Sequence, residues 1–132
     1  MLIFSIILNC PPVVLIFGKR DFAKDKEVQD WIEAILGAKF PPGEKYEDAL
    51  KDGIILCKLM NQIAPGSIPK INTTGGQFKM MENINMFQKA MNNYGVPDID
   101  GFQTVDLYEA KDISNVTSTL FALGRAVSYS YP

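Results

Sequence analysis

Lys51-Asp52-Gly53-Ile54-Ile55-Leu56-Cys57-Lys58-Leu59-Met60-Asn61, followed by Pro65-Gly66 and Lys70-Ile71-Asn72, is the densest run of structural signals in the chain. Asp52-Gly53 breaks the chain between two helices, and the Asp52 carboxylate is placed to cap the second by accepting from its free N–H groups. Ile54, Ile55, Leu56, Cys57, Leu59, Met60 and Ile63 are apolar almost all round the helical wheel, so this helix is expected to be central and buried. Pro65-Gly66 stops it. Ser67–Gln77 reads as an irregular loop, with Thr73-Thr74-Gly75-Gly76 as its flexible part.

Helical spacing extends to both sides. Upstream, Val28, Trp31, Ile32, Ile35 and Leu36 form one apolar face; Asp21 or Asp25 caps its start and Gly37 ends it. Trp31 is expected to anchor the core. Phe40-Pro41-Pro42-Gly43 is a turn, and Tyr46–Lys51 makes one or two helical turns. Downstream, Phe78–Tyr94 is the longest helical pattern, with Met81, Ile84, Phe87, Met91 and Tyr94 recurring at three and four residues. The methionines and aromatics of this segment are expected in the core rather than in a partner groove. Gly95 caps its end, with Pro97 beyond. Asp98–Gln103 is a loop, Val105–Tyr108 a helical turn, and Asp112–Ser128 the last helix, where Ile113, Val116, Leu120, Leu123 and Val127 face inward.

The bulk properties narrow the function. A chain of 132 residues with 47% apolar content fits one domain with one core. Its net charge of −2 argues against a nucleic-acid partner, which needs a basic face, and against an electrostatic membrane clamp. There is no histidine, which removes ordinary Ser-His and Cys-His nucleophile pairs and every His-ligated metal site. Cys10 and Cys57 form no CxxC, and Cys57 reads as a buried free thiol.

The acidic pairs Glu47/Asp48 and Asp98/Asp100 sit in turns without a convergent partner, and Asp98-Ile99-Asp100-Gly101 lacks the spacing and closing Glu of a calcium loop. Gly75-Gly76 lacks the rest of a phosphate loop. No catalytic residue, metal or cofactor is expected.

Residues 1–18 carry no charged side chain. Leu2–Leu8 and Val13–Phe17 are each too short to span a bilayer and are separated by Pro11-Pro12. A signal peptide is the sharper reading, but the basic n-region and small-residue cleavage site are missing. The expectation is an apolar leader over 1–18 and one domain over 19–132.

The order of signals resembles the calponin homology domain. The resemblance rests on Trp31-Ile32, Leu50-x-Asp52-Gly53-x-x-Leu56-Cys57-x-Leu59-x-Asn61, Pro65-Gly66 and Lys70-Ile71-Asn72. It continues through Phe78-x-x-x-Glu82-Asn83-Ile84-x-x-Phe87, Gly95-Val96 and Phe102-x-Thr104-x-Asp106-Leu107-x-Glu109. Asp112-Ile113-x-x-Val116 and Leu123-Gly124-Arg125 complete it. The chain is most similar to the single-domain class of calponin, transgelin and the arthropod muscle protein 20 group.

The resemblance implies an all-α bundle of four main helices plus short helical turns. It also implies no catalysis, a cytoplasmic place on the cytoskeleton or muscle thin filament, and F-actin or another cytoskeletal protein as partner of a monomer. In these families a C-terminal calponin-like repeat carries much of the actin binding. None stands before Pro132, so the expectation is a weak actin binder, with a signalling adaptor that docks a kinase or other cytoskeletal protein as the alternative.

Two groups of residues are candidates for partner contact. Lys58, Lys70 and Lys79 are the basic residues between Gly53 and Met81, whereas from Glu82 to Asp112 six acids stand against Lys89 and Lys111. A modest basic loop is suited to an acidic filament. In tandem relatives the first and last helices face actin, and the matching positions, expected to be exposed, are Lys24, Glu27, Lys111, Asn115 and Ser118.

Overall fold

The structure, a computed structural model, describes residues 20–130. The expectations placed on the apolar leader, its two runs and Cys10 lie outside the described residues. Six α-helices follow in order: α1 Phe22–Leu36, α2 Tyr46–Leu50, α3 Ile54–Ile63, α4 Gly76–Tyr94, α5 Thr104–Tyr108 and α6 Ile113–Ser130, with a 3-10 turn at Asp98–Asp100. No strand occurs among the described residues. The long helices α1, α3, α4 and α6 form the bundle expected from the sequence, and the three short elements bridge them.

Local chemistry sets most boundaries. Asp21, at φ −117°, caps α1 by accepting from Ala23 N at 2.9 Å, and Gly37, at φ 71°, closes it with its N–H on Glu33 O at 2.8 Å. Asp25, the other candidate cap, is instead 4% exposed inside the bundle. Asp52 Oδ1 accepts from Ile54 N at 3.0 Å at the entry to α3. Gly95 carries both of its own N–H bonds back onto Met91 O and Asn92 O at the end of α4. Its φ of 130° is one a side chain would resist.

Helix α3 is the centre. Leu56, Cys57, Leu59 and Met60 have no exposed surface, and α3 packs most extensively on α4. Helix α1 lies against α3 and α6, and α5 bridges α4 and α6. Trp31, 1% exposed, joins Ile32, Ile84, Phe87, Leu107, Val116, Leu120 and Leu123 in one core.

Helix α4 departs from its expected pattern in two ways. It begins at Gly76, so the loop ends two residues earlier than Gln77. Ile84, Phe87 and Met91 are buried, but Met81 and Tyr94 are only half-buried and Phe78 is 86% exposed. The reason is angular: Phe78 precedes Phe87 by roughly two and a half turns, which puts it on the opposite side of the helix. The buried three- and four-residue rhythm therefore holds for Ile84, Phe87 and Met91 and does not include Phe78.

Candidate partner-binding surface

The α3–α4 connection is fastened by asparagine side chains. Asn61, near the end of α3, donates to Ile68 O at 3.0 Å and accepts from Ile68 N at 2.8 Å, so its amide closes the Pro65-Gly66 turn like a second backbone. Asn83, 1% exposed on α4, does the same for Asn72: Asn72 N donates to Asn83 Oδ1 at 2.9 Å, and Asn83 Nδ2 donates to Asn72 O at 2.8 Å. Asn83 Nδ2 also reaches Asp52 O at 2.9 Å, joining the α2–α3 break to the same point. The Asn72 amide in turn reaches Glu82 Oε1 at 2.7 Å and Lys79 O at 3.3 Å. The segment is irregular as expected, and it forms a platform pinned at Ile68 to α3 and at Asn72 to α4, where side-chain amides replace missing backbone partners.

Of the basic candidates this platform carries Lys70, while Lys58 lies on α3 and Lys79 on the first turn of α4. Lys58, Lys70 and Lys79 are all exposed. Lys79 Nζ lies 3.7 Å from Glu82 Oε1, an ion pair whose side chains are 53% and 55% exposed and which is therefore well screened. Lys70 is two residues before Asn72, so the Asn72–Asn83 pair holds its backbone against α4.

The second group sits on α1, the α5–α6 turn and α6. Lys111 and Ser118 are exposed as expected, but Lys24, Glu27 and Asn115 are half-buried. Lys24 Nζ lies 5.4 Å from the centre of the Phe121 ring, a cation–π contact linking α1 to α6. Asn115 donates its amide to Asp106 Oδ2 at 3.1 Å, and its N–H meets Asp112 Oδ1 at 3.1 Å. Much of Asn115 is therefore committed to the start of α6. The eight candidates divide by element: three on α3, the platform and α4, and five on α1, the α5–α6 turn and α6.

A polar chain that runs from the half-buried Arg20 and Glu47 into the buried Asp25, Tyr46 and Thr117, not foreseen in the sequence, joins the start of α1 to α2 and α6. Arg20 Nε donates to Asp25 Oδ2 at 2.7 Å and Arg20 NH2 to Glu47 Oε1 at 2.7 Å. Thr117 Oγ1 donates to Asp25 Oδ1 at 2.7 Å. The single Thr117 proton is then spent, so the Tyr46 hydroxyl, 2.9 Å away, donates to Thr117 Oγ1. The hydrogen bond from Arg20 holds the Glu47 carboxyl below its usual range, and Glu47, chiefly, with Asp25 lifts the Arg20 guanidinium above its own. Burial pushes Tyr46 well above the ordinary phenol range. Glu47, read from the sequence as a solvated turn acid, is a structural ion-pair partner.

Arg20, Phe22, Tyr46 and Glu47 also line an open groove of roughly 610 Å³. Its carboxylates are engaged with Arg20 and Thr117, which leaves no acid–base pair there. Cys57 Sγ donates to Asn83 O at 3.2 Å, and burial, aided by Asp52, raises its thiol to about 12. It is a packed thiol and not a nucleophile at neutral pH. Among the described residues no cluster of His, Cys, Asp or Glu is arranged to hold a metal ion, and no helix is long and apolar enough to cross a membrane.

Residues 22–128 match the family model of the calponin homology (CH) domain. The chain belongs to the calponin homology domain family. The CH domain is 67% identical over 111 residues to muscle-specific protein 20 of Drosophila melanogaster, covering 84% of this chain and 60% of that protein. It is 59% identical over 109 residues to myophilin of Echinococcus granulosus, covering 82% of this chain and 57% of that protein. The chain thus spans a little over half the length of these relatives. In solved structures its backbone is similar to the calponin-homology domain of RNG2 from Schizosaccharomyces pombe, with a TM-score of 0.73 and 30% identity, over 81% of this chain and 68% of that one. These relationships bear out the family and the all-α CH fold read from the sequence.

Proposed function

We propose that this chain is a muscle or cytoskeletal protein whose CH domain, set within residues 19–132, binds F-actin by surface contact and regulates filament organisation without transforming a substrate. The observation that carries the proposal is its 67% identity to a protein named for muscle, across nearly the whole CH domain. The surface supports it. The exposed Lys58 on α3, Lys70 on the platform and Lys79 on α4 are offered to an acidic filament, and a platform pinned by the Asn72–Asn83 bonds loses little freedom on binding. Lys24, Glu27, Lys111, Asn115 and Ser118 form the second candidate contact.

Co-sedimentation with F-actin at low and at physiological salt tests the proposal, using the chain and its Lys70→Glu/Lys79→Glu variant. Pelleting that weakens with salt and drops in the variant supports it. Absence of the wild-type chain from the pellet even at low salt removes direct actin binding.

A further inference from the structure

Phe78 and Ile99 are 86% and 90% exposed, among the few large apolar side chains in full solvent. They mark the two ends of α4. Phe78 lies in its first turn, and Ile99 sits in the 3-10 turn just past its end. Nineteen helical residues separate the two ends by about 28 Å.

The charge around each is opposite. Next to Phe78 stands the exposed Lys79, paired at 3.7 Å with Glu82, and the exposed Lys70 lies two residues before Asn72, whose amide reaches Lys79 O. Ile99 is flanked by the exposed acids Asp98 and Asp100. Asp98 Oδ1 accepts from the neutral Asn92 amide at 2.7 Å, which orients the acid without cancelling its charge.

The acidic tip is also held in shape. Asp100 N bonds Pro97 O at 3.0 Å, Gly101 N bonds Asp98 O at 2.9 Å, and the Thr119 hydroxyl from α6 reaches Asp100 O at 2.6 Å. Both the tip and the platform are therefore ordered before any contact is made, and each presents one apolar side chain inside a charged rim.

We propose that the acidic Ile99 tip of one copy docks on the basic Phe78 platform of a second copy, head to tail. The two patches differ from each other, so the contact is heterologous and leaves a free tip and a free platform at the ends of every row. It is small. One apolar side chain and a few charges from each copy fall short of the roughly 1,200 Å² that a stable interface buries. The contact is weak, with a dissociation constant on the order of millimolar, and the dilute chain is monomeric. The charged rim sets the orientation and makes the contact salt-sensitive. The inference stands apart from the filament proposal, because its test contains no actin.

The test follows amide chemical shifts and sedimentation as the chain is concentrated from micromolar to millimolar, at low and at high salt. Lys70→Glu/Lys79→Glu reverses the platform, and Asp100→Lys neutralises the tip while leaving the Asp98–Asn92 bond. Ile99→Ser removes the apolar plug, and circular dichroism checks that each variant keeps its helices.

Concentration-dependent shifts centred on Phe78 and Ile99 are expected. They should weaken at high salt and by at least about tenfold in each variant, since unfavourable charge placement at a contact costs more than a kcal/mol. Mixing the platform variant, whose tip is intact, with the tip variant, whose platform is intact, should restore association between unlike copies. The proposal is overturned if wild-type shifts do not depend on concentration, if they map elsewhere, or if the mixture associates no better than either variant alone.

Discussion

Gly53 and Asn83 occupy one small space. A Cβ on Gly53 would lie 2.8 Å from Asn83 Cβ and 3.0 Å from Ile84 N, and Gly53 sits at φ 75°. The turn into α3 therefore needs glycine twice, for its left-handed backbone and for the close approach of α4. Gly53→Ala should cost about 3 kcal/mol, combining the left-handed penalty with overpacking against backbone that cannot give way. Urea denaturation reads the loss as a lower midpoint with an unchanged slope.

Asn83 fastens α4 to the platform and to the α2–α3 break. Asn83→Ala would leave the Asn72 N–H and the carbonyls of Asn72 and Asp52 without this partner, at a cost of about 3 kcal/mol. Amide hydrogen exchange gives a sharper signature: the Asn72 amide should lose protection well before those of buried α3. Unchanged exchange at Asn72 would show that the loop is held by something else.

Trp31→Ala should cost about 3–5 kcal/mol, because the ring is 1% exposed and its removal opens a large cavity beneath α1. The indole Nε1 is buried without a hydrogen-bond partner among the described residues, so Trp31→Phe should be tolerated far better than Trp31→Ala. Thermal unfolding of the pair measures the difference.

Acid and alkali should attack the same polar chain from opposite sides. Glu47 titrates below its ordinary 4.5 when folded, so its contribution is complete above that value and is lost as pH falls through the folded range. Tyr46 titrates above its ordinary 10.0, so its contribution is complete below that value and is lost as pH rises beyond it. Glu47→Gln should flatten the acid limb of a stability–pH curve. Tyr46→Phe should flatten the alkaline limb. A substitution that shifts the whole curve without changing its limb would contradict the assignment.

Cys57 should resist thiol reagents while the domain is folded, since the fully buried thiol titrates at about 12. Its labelling should follow the unfolding curve in denaturant. Fast modification in native buffer would contradict this picture of the α3–α4 interface.

The helices, their caps and most of the core were legible in the sequence because each depends on residues a few positions apart. Asp21 and Gly37 bound α1 through contacts within one turn, and the apolar spacing of α3 and α6 names the faces they bury. What needed the tertiary structure is the pairing of residues far apart in the chain. Thr117 meets Asp25 across 92 positions, Tyr46 meets Thr117 across 71, and Arg20 meets Glu47 across 27. The solvent-facing side of Phe78 was legible too, since it stands roughly two and a half turns from Phe87 and so off the face that Ile84, Phe87 and Met91 share. The candidate surface divides the same way. Charge order along the chain singled out Lys58, Lys70 and Lys79, whereas the asparagine bonds that turn the loop of Lys70 into a platform exist only once α3 and α4 lie side by side.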